Sequence, residues 1–144
     1  MSNNELHGQF IATIYDLKKL CTMMPTECQL QLSELIVMKS VVYGCNECLN
    51  VAEIQRIQNL SKPAISQTLN ALERKGYIVR SIDSSDRRKI VVSATDEGNL
   101  IFSKTNDTYL RFLDDLITLY GEEDLYILIE KTQKLLAVYN DIMK

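Results

Sequence analysis

Residues that break or bend secondary structure are scarce in this chain, which has only 5 glycines and 2 prolines in 144 residues. That scarcity argues against collagenous, disordered and all-β proteins, and a composition of 46% hydrophobic and 24% charged residues points to a helix-rich globular one. His7 is the only histidine. No Ser/His/Asp grouping, phosphate-binding glycine loop or acid-base carboxylate pair is present, so neither an enzyme nor a cofactor is expected. No apolar run approaches the roughly 18 residues needed to cross a bilayer, and the start MSNNELHGQF lacks the basic end and apolar core of a signal peptide. The expectation is a cytoplasmic protein with no membrane partner. There is no internal repeat, low-complexity segment or separating linker, and a chain of this size buries roughly 68–70% of its unfolded surface, enough for one compact unit.

Positive charge is scarce overall, with a net charge of −3 and a pI near 5.2. The average conceals a segregation. Between Arg56 and Lys89 eight cations face three anions, a local +5, while the rest of the chain carries −8. A basic middle between acidic flanks marks where a polyanion would bind.

Apolar residues Leu6, Phe10, Ile14, Leu17 and Cys21 recur at helical steps and predict a long first helix stopped by Pro25. A second helix is expected over about Gln29 to Tyr43, apolar on Leu32, Leu35, Ile36, Met38 and Val42, with Gly44 as a stop. Asn50 with Glu53 three residues on reads as a cap opening a short helix through Gln58. Ser61 as N-cap, Pro63 in the first turn and Gly76 as a left-handed terminator bracket a fourth. Two β-branched runs, 77–82 and 88–94, flank Asp83-Ser84-Ser85-Asp86-Arg87 and predict a hairpin. Thr95 caps a long helix to about Tyr120, apolar on Leu100, Tyr109, Phe112, Leu113, Leu116 and Ile117. Gly121 breaks it before a last helix, Glu122 to Met143. The order α-α-α-α-β-β-α-α is mainly α with a small hairpin wing: a winged helix-turn-helix over 29–98, between a dimerisation helix in 1–28 and further dimerisation helices in 99–144. The outer helices are apolar on one face and would expose a large patch unpaired, which predicts a homodimer.

On the helix from Ser61, Ile65, Leu69 and Leu72 form a stripe to be buried, while Pro63, Ser66, Gln67, Asn70 and Arg74 fall on the opposite face. Short polar side chains such as Ser66, Gln67 and Asn70, with Ser61, Lys62 and Pro63 at the helix start, suit base edges in a major groove, where Gln or Asn can pair with adenine through two hydrogen bonds. Arg56, Arg74 and Lys75 flank this face as phosphate contacts. Arg87, Arg88 and Lys89 sit at the tip of the hairpin, where a narrow minor groove can receive them, and a carboxylate at Asp86 can fix a neighbouring guanidinium. The plainer alternatives are a solvated helix face and a turn neutralised by its own aspartates.

The run from Ser66 through Gly76 to Arg80, then Asp86-Arg87-Arg88 and Val91 to Gly98 with its T-x-E-G, resembles the MarR family of bacterial and archaeal transcriptional regulators. The resemblance implies a homodimer whose two winged helices straddle a pseudopalindromic double-stranded DNA operator. It also implies that Arg88 enters the minor groove with Asp86 steadying the wing, and that a small aromatic ligand binds between the dimer helices and the winged helix. Gln67 and Ala71 depart from the family, which often has cations there. The regulator is expected to be a repressor released by such a ligand or by thiol oxidation.

Cys45-Asn46-Glu47-Cys48 has the C-x-x-C spacing of a redox pair or half a zinc site. Cys21 and Cys28 lie before the second helix and Cys45 after it, about 22 Å away at 1.5 Å per residue, so one metal held by all four is not expected. Cys45 and Cys48 stand as a candidate redox switch, beside the alternative of small buried side chains. Two other readings are a winged helix docking on an acidic protein partner and a small thiol oxidoreductase, the latter without the βαβ setting it needs.

Overall fold

The computed structural model describes residues 2–20, 22–44, 49–58, 61–83 and 86–143, apart from the side chains of Leu49 and Ile57. The elements run α1 (Asn3–Leu20), α2 (Leu32–Tyr43), β1 (Leu49–Asn50), α3 (Val51–Gln58), α4 (Lys62–Arg74), β2 (Ile78–Ile82), β3 (Ile90–Ala94), α5 (Asp96–Tyr120) and α6 (Glu122–Ile142). The six helices and the hairpin appear in the expected order. The sequence reading did not foresee β1, whose Leu49 and Asn50 pair antiparallel with Val92 and Val91 to make a three-stranded sheet of order β1-β3-β2.

The chain forms two compact units, Met1–Thr108 and Tyr109–Lys144. In the first, the core gathers Val37 and Met38 of α2, Ile54 of α3, Ile65, Leu69 and Leu72 of α4, Ile78 and Val92 of the sheet and Phe102 of α5, each at most 2% exposed. α5 buries Gly98, Ile101, Phe102 and Thr105, one stripe at steps of three and four. Ile101 and Phe102, which the sequence reading did not include on the apolar face of this helix, take inward positions, while Leu100 is 54% exposed. The Phe102 ring meets Tyr43 edge-on at 5.6 Å.

Local capping follows the residues. Asn50 and Glu53 satisfy one another's backbone N–H groups, at 2.9 and 3.0 Å. The Ser61 hydroxyl accepts from the Ala64 N–H at 3.4 Å. α4 ends in a Schellman motif: Tyr77 N–H donates to the Leu72 carbonyl, Gly76 N–H donates to that of Glu73, and Gly76 has a positive φ of 78°. α2 begins at Leu32, later than expected, because the Glu34 carboxylate accepts from the Gln31 N–H and fixes the start there.

The T-x-E-G segment clamps α5 to the end of α4. Thr95 Oγ1 donates to the Gly76 carbonyl at 2.7 Å and accepts from the Gly98 N–H at 2.9 Å, while Thr95 N–H donates to the Tyr77 carbonyl. Gly98 is pressed so closely on Tyr77 that a Cβ there would lie 1.9 Å from the Tyr77 carbonyl oxygen. Backbone cannot yield as a flexible side chain does. Gly98→Ala is therefore expected to destabilise the chain by about 2–3 kcal/mol, read as a lower urea midpoint, whereas Gly8→Ala, with open space around it, should not lower it.

Candidate nucleic-acid interface

Burial of Ile65, Leu69 and Leu72 turns the other side of α4 outward. Ser61, Lys62, Pro63, Gln67, Asn70 and Arg74 are exposed and Ser66 half-buried, as the helical spacing requires. Arg74 lies twelve residues beyond Lys62, about 18 Å along the axis. This face carries hydrogen-bonding groups in its middle and cations at its ends.

The wing turn is held by its aspartates, which engage backbone rather than a neighbouring guanidinium. Asp83 Oδ1 accepts from the Asp86 N–H at 2.9 Å and Asp86 Oδ1 from the Arg88 N–H at 3.0 Å. Two backbone bonds close the turn, Lys89 N–H to the Asp86 carbonyl and Asp83 N–H to the Lys89 carbonyl, both 2.9 Å. The carboxylate of Asp86 thus orders backbone, and no ion pair joins it to Arg87 or Arg88 among the described residues. The chemistry is that of an Asx turn. Arg87, Arg88 and Lys89 are all exposed on it.

An open cleft of about 550 Å³ joins the wing to the helices. It is lined by Asn50, Val51, Ala52 and Gln55 at the start of α3, by Lys62 and Ser66 of α4, and by Arg80, Arg88, Lys89 and Ile90 of the hairpin. Four cations therefore surround one concave surface without a carboxylate in its lining, which suits an anion. The sequence singled out Lys62, Ser66, Arg88 and Lys89 but missed Asn50, Gln55 and Arg80. Arg80 was visible only as one of the cations of the basic middle.

Lys75 is engaged inside the domain. Its Nζ lies 2.7 Å from both oxygens of Glu34, a carboxylate 4% exposed on α2. Lys75 therefore carries a structural ion pair while its side chain stays 37% exposed, and Arg56 and Arg74, the other cations expected at phosphates, are exposed. Asn70 has a partner as well: its Oδ1 accepts from Arg80 Nη2 at 2.7 Å.

Cys45 and Cys48 lie outside the described residues, as does Cys21. Cys28 is half-buried, its thiol directed at the Thr105 carbonyl at 3.9 Å. Burial, and secondarily the Glu27 carboxylate, push its pKa above the ordinary thiol value. Among the described residues no group of side chains could hold a metal ion, and no helix is long and apolar enough to cross a membrane.

Residues 44–90, which span α3, α4, β2 and most of the wing, match the model of the MarR family. The chain is 27% identical over 113 residues to the HTH-type transcriptional regulator PrsX of Escherichia coli, covering 76% of this chain and 66% of that protein. It is 33% identical over 98 residues to the HTH-type transcriptional regulator PapX of Escherichia coli, covering 66% of this chain and 58% of that protein. The chain thus spans less than two thirds of the length of these curated relatives. Among solved structures, the MepR–DNA complex of S. aureus superposes with a TM-score of 0.72 at 17% identity, covering 96% of this chain and 98% of that one. A mutant MarR of Escherichia coli complexed with operator DNA gives 0.70 at 20% identity, covering 90% and 92%. These likenesses establish the winged-helix fold.

Two outcomes follow from these side chains. Lys75→Ala leaves the Glu34 carboxylate buried without its cation and should cost about 1–3 kcal/mol, discounted for the half-exposed lysine, whereas Arg74→Ala should stay within about 0.5 kcal/mol; urea unfolding measures both. Because only the thiolate alkylates and the folded thiol titrates above the unfolded one, the iodoacetamide labelling rate of Cys28 should be lower in the folded chain at neutral pH. It should still be climbing at pH values where the unfolded chain's rate has levelled off, as peptide mass mapping would read.

Proposed function

Because residues 44–90 match the model of the MarR family, we propose that the chain is a MarR-type, sequence-specific, double-stranded-DNA-binding transcriptional regulator acting as a cytoplasmic homodimer. The observation that carries the reading is the placement of Arg87, Arg88 and Lys89 on an ordered, exposed turn beside the outer face of α4, in a chain of net charge −3. Cations kept exposed on one surface against an acidic average are arranged for a polyanion.

In this reading α4 enters the major groove and brings Ser66, Gln67 and Asn70 to base edges, with Ser61, Lys62 and Pro63 at its leading end. The wing lays Arg88, flanked by Arg87 and Lys89, into the adjacent minor groove, whose negative potential favours a guanidinium. Asp86 contributes by holding the turn backbone, so the arginine arrives with less conformational entropy to lose. Arg56 and Arg74 contact phosphates and set register. A pseudopalindromic operator follows from two-fold symmetry, with the two α4 helices about 34–36 Å apart, one turn of DNA.

The regulator acts as a repressor, released when a small aromatic ligand, or oxidation of Cys45 and Cys48, changes the separation of the two α4 helices. The complexes of MepR with DNA and of MarR with operator DNA support the DNA-binding part of this reading by analogy of fold.

Fluorescence anisotropy with duplex fragments from the region upstream of the protein's own gene tests it. Arg88→Ala should weaken binding about tenfold or more at low salt while leaving the melting temperature unchanged, and Lys62→Ala should lower the slope of log affinity against log salt by about one. Arg88→Ala and wild-type titrations that overlay would remove the wing from the interface.

A further inference from the structure

The guanidinium of Arg80, on β2, reaches α4 at two points. Its Nη2 donates to Asn70 Oδ1 at 2.7 Å, and its Nε lies 3.4 Å from Glu73 Oε2. A guanidinium has donors and no acceptor. The carboxamide atom facing it is therefore the oxygen, and the Asn70 nitrogen points away from the arginine. The Arg80 side chain is 25% exposed, and the Glu73 carboxylate attracts its Nε by charge, that nitrogen being buried without a hydrogen-bond partner among the described residues.

An asparagine that reads adenine presents both atoms at once, its oxygen accepting from N6 and its nitrogen donating to N7. An oxygen held against β2 cannot take that pose. We infer that Arg80 is a specificity-determining residue: by occupying the Asn70 oxygen it makes Asn70 a donor-only reader, selecting base edges that offer acceptors. Guanine, with O6 and N7 side by side, and thymine, with O4, meet that requirement best, whereas adenine offers N7 alone beside its N6 donor. Cytosine presents an N4 donor and is rejected. The adenine pairing expected from the residue type alone is thereby replaced. This inference rests on the reading of α4 as the helix in the major groove.

Selection of bound sequences from a randomised duplex pool by the full-length chain tests it, with Asn70→Ala, Arg80→Met and Asn70→Asp alongside. The wild type should show a position, mirrored in both half-sites, where guanine or thymine dominates and cytosine is depleted about tenfold. That position should flatten in Asn70→Ala. Arg80→Met, checked for folding by thermal melting, frees the carboxamide to turn, and adenine should rise there about tenfold. Should Arg80→Met not fold, Asn70→Asp carries the test, since it keeps an oxygen for Arg80 but exchanges the outward donor for an acceptor, moving the preference toward cytosine. The inference is overturned if adenine already dominates the Asn70-dependent position, if no position depends on Asn70, if folded Arg80→Met selects the wild-type sequence, or if Asn70→Asp retains guanine or thymine. A wild-type chain that enriches no sequence would instead overturn the regulator reading itself.

Discussion

Burial of Ile65, Leu69 and Leu72 on one side of α4 determines which residues of that helix can meet anything outside the domain. A helix has one rotational degree of freedom about its axis, and three apolar side chains of this size, each worth roughly 1.5–3 kcal/mol when buried, settle it. The ends are settled separately. Ser61 caps the start, the Schellman turn at Gly76 closes the finish, and Lys75 ties that end to the buried carboxylate of Glu34. Glu34 also takes the Gln31 N–H, so one side chain fixes the beginning of α2 and the end of α4 together. The arrangement resists rotation and sliding alike, which suits the proposed role of α4 as the helix that brings three short polar side chains to a groove.

What could be read in the sequence was local. Caps at Asn50, Ser61 and Thr95, the glycine terminator and the α4 stripe each depend on residues within four or five positions of one another, and each forms as its residues dictate. What could not be read depends on partners far along the chain. β1 is two residues long, too short for any periodicity, and exists because β3, some forty residues later, offers it an edge. Glu34 looks like an ordinary polar position until Lys75 arrives from 41 residues away. The inward role of Ile101 and Phe102 went unread for a different cause: adjacent apolar residues at 100, 101 and 102 leave the phase of the stripe open, and packing such as that of Phe102 on Tyr43 decides it. Within the candidate site the exposed cations were legible because exposure is the ordinary state of a lysine or arginine. The engagement of Lys75, and of Arg80 with Asn70, was not.

Opposite charges near a nucleic-acid surface are often counted as cancelling, and the wing shows why the count misleads. The carboxylates of Asp83 and Asp86 face backbone N–H groups of the same turn. Their role is geometric. They shape the loop that exposes Arg87 and Arg88, and they leave both guanidinium groups without an acidic partner among the described residues. On α4 the same logic runs in reverse, because Glu73 and Asn70 hold Arg80 and turn a cation into a positioning device. Net charge is therefore a poor guide to this surface.

The helices outside the winged-helix core impose a further constraint. α1 and α6 bury none of their described residues within one chain, and their apolar stripes stay open: Leu6 is 53% exposed, Phe10 48%, Leu136 56% and Tyr139 59%. Stripes this long on a lone protomer would favour association, and the two-fold partner proposed above is the economical way to cover them. In the proposed dimer, covering them would have a consequence at the DNA, because the geometry of that packing would set the distance between the two α4 helices. Anything that stabilised an alternative packing would shift that distance, and a shift of a few ångströms would take one helix out of register with the other seated. On the proposed function, regulation would need no contact between an effector and the proposed reading face, only a preference for one of two ways of burying the same apolar surface.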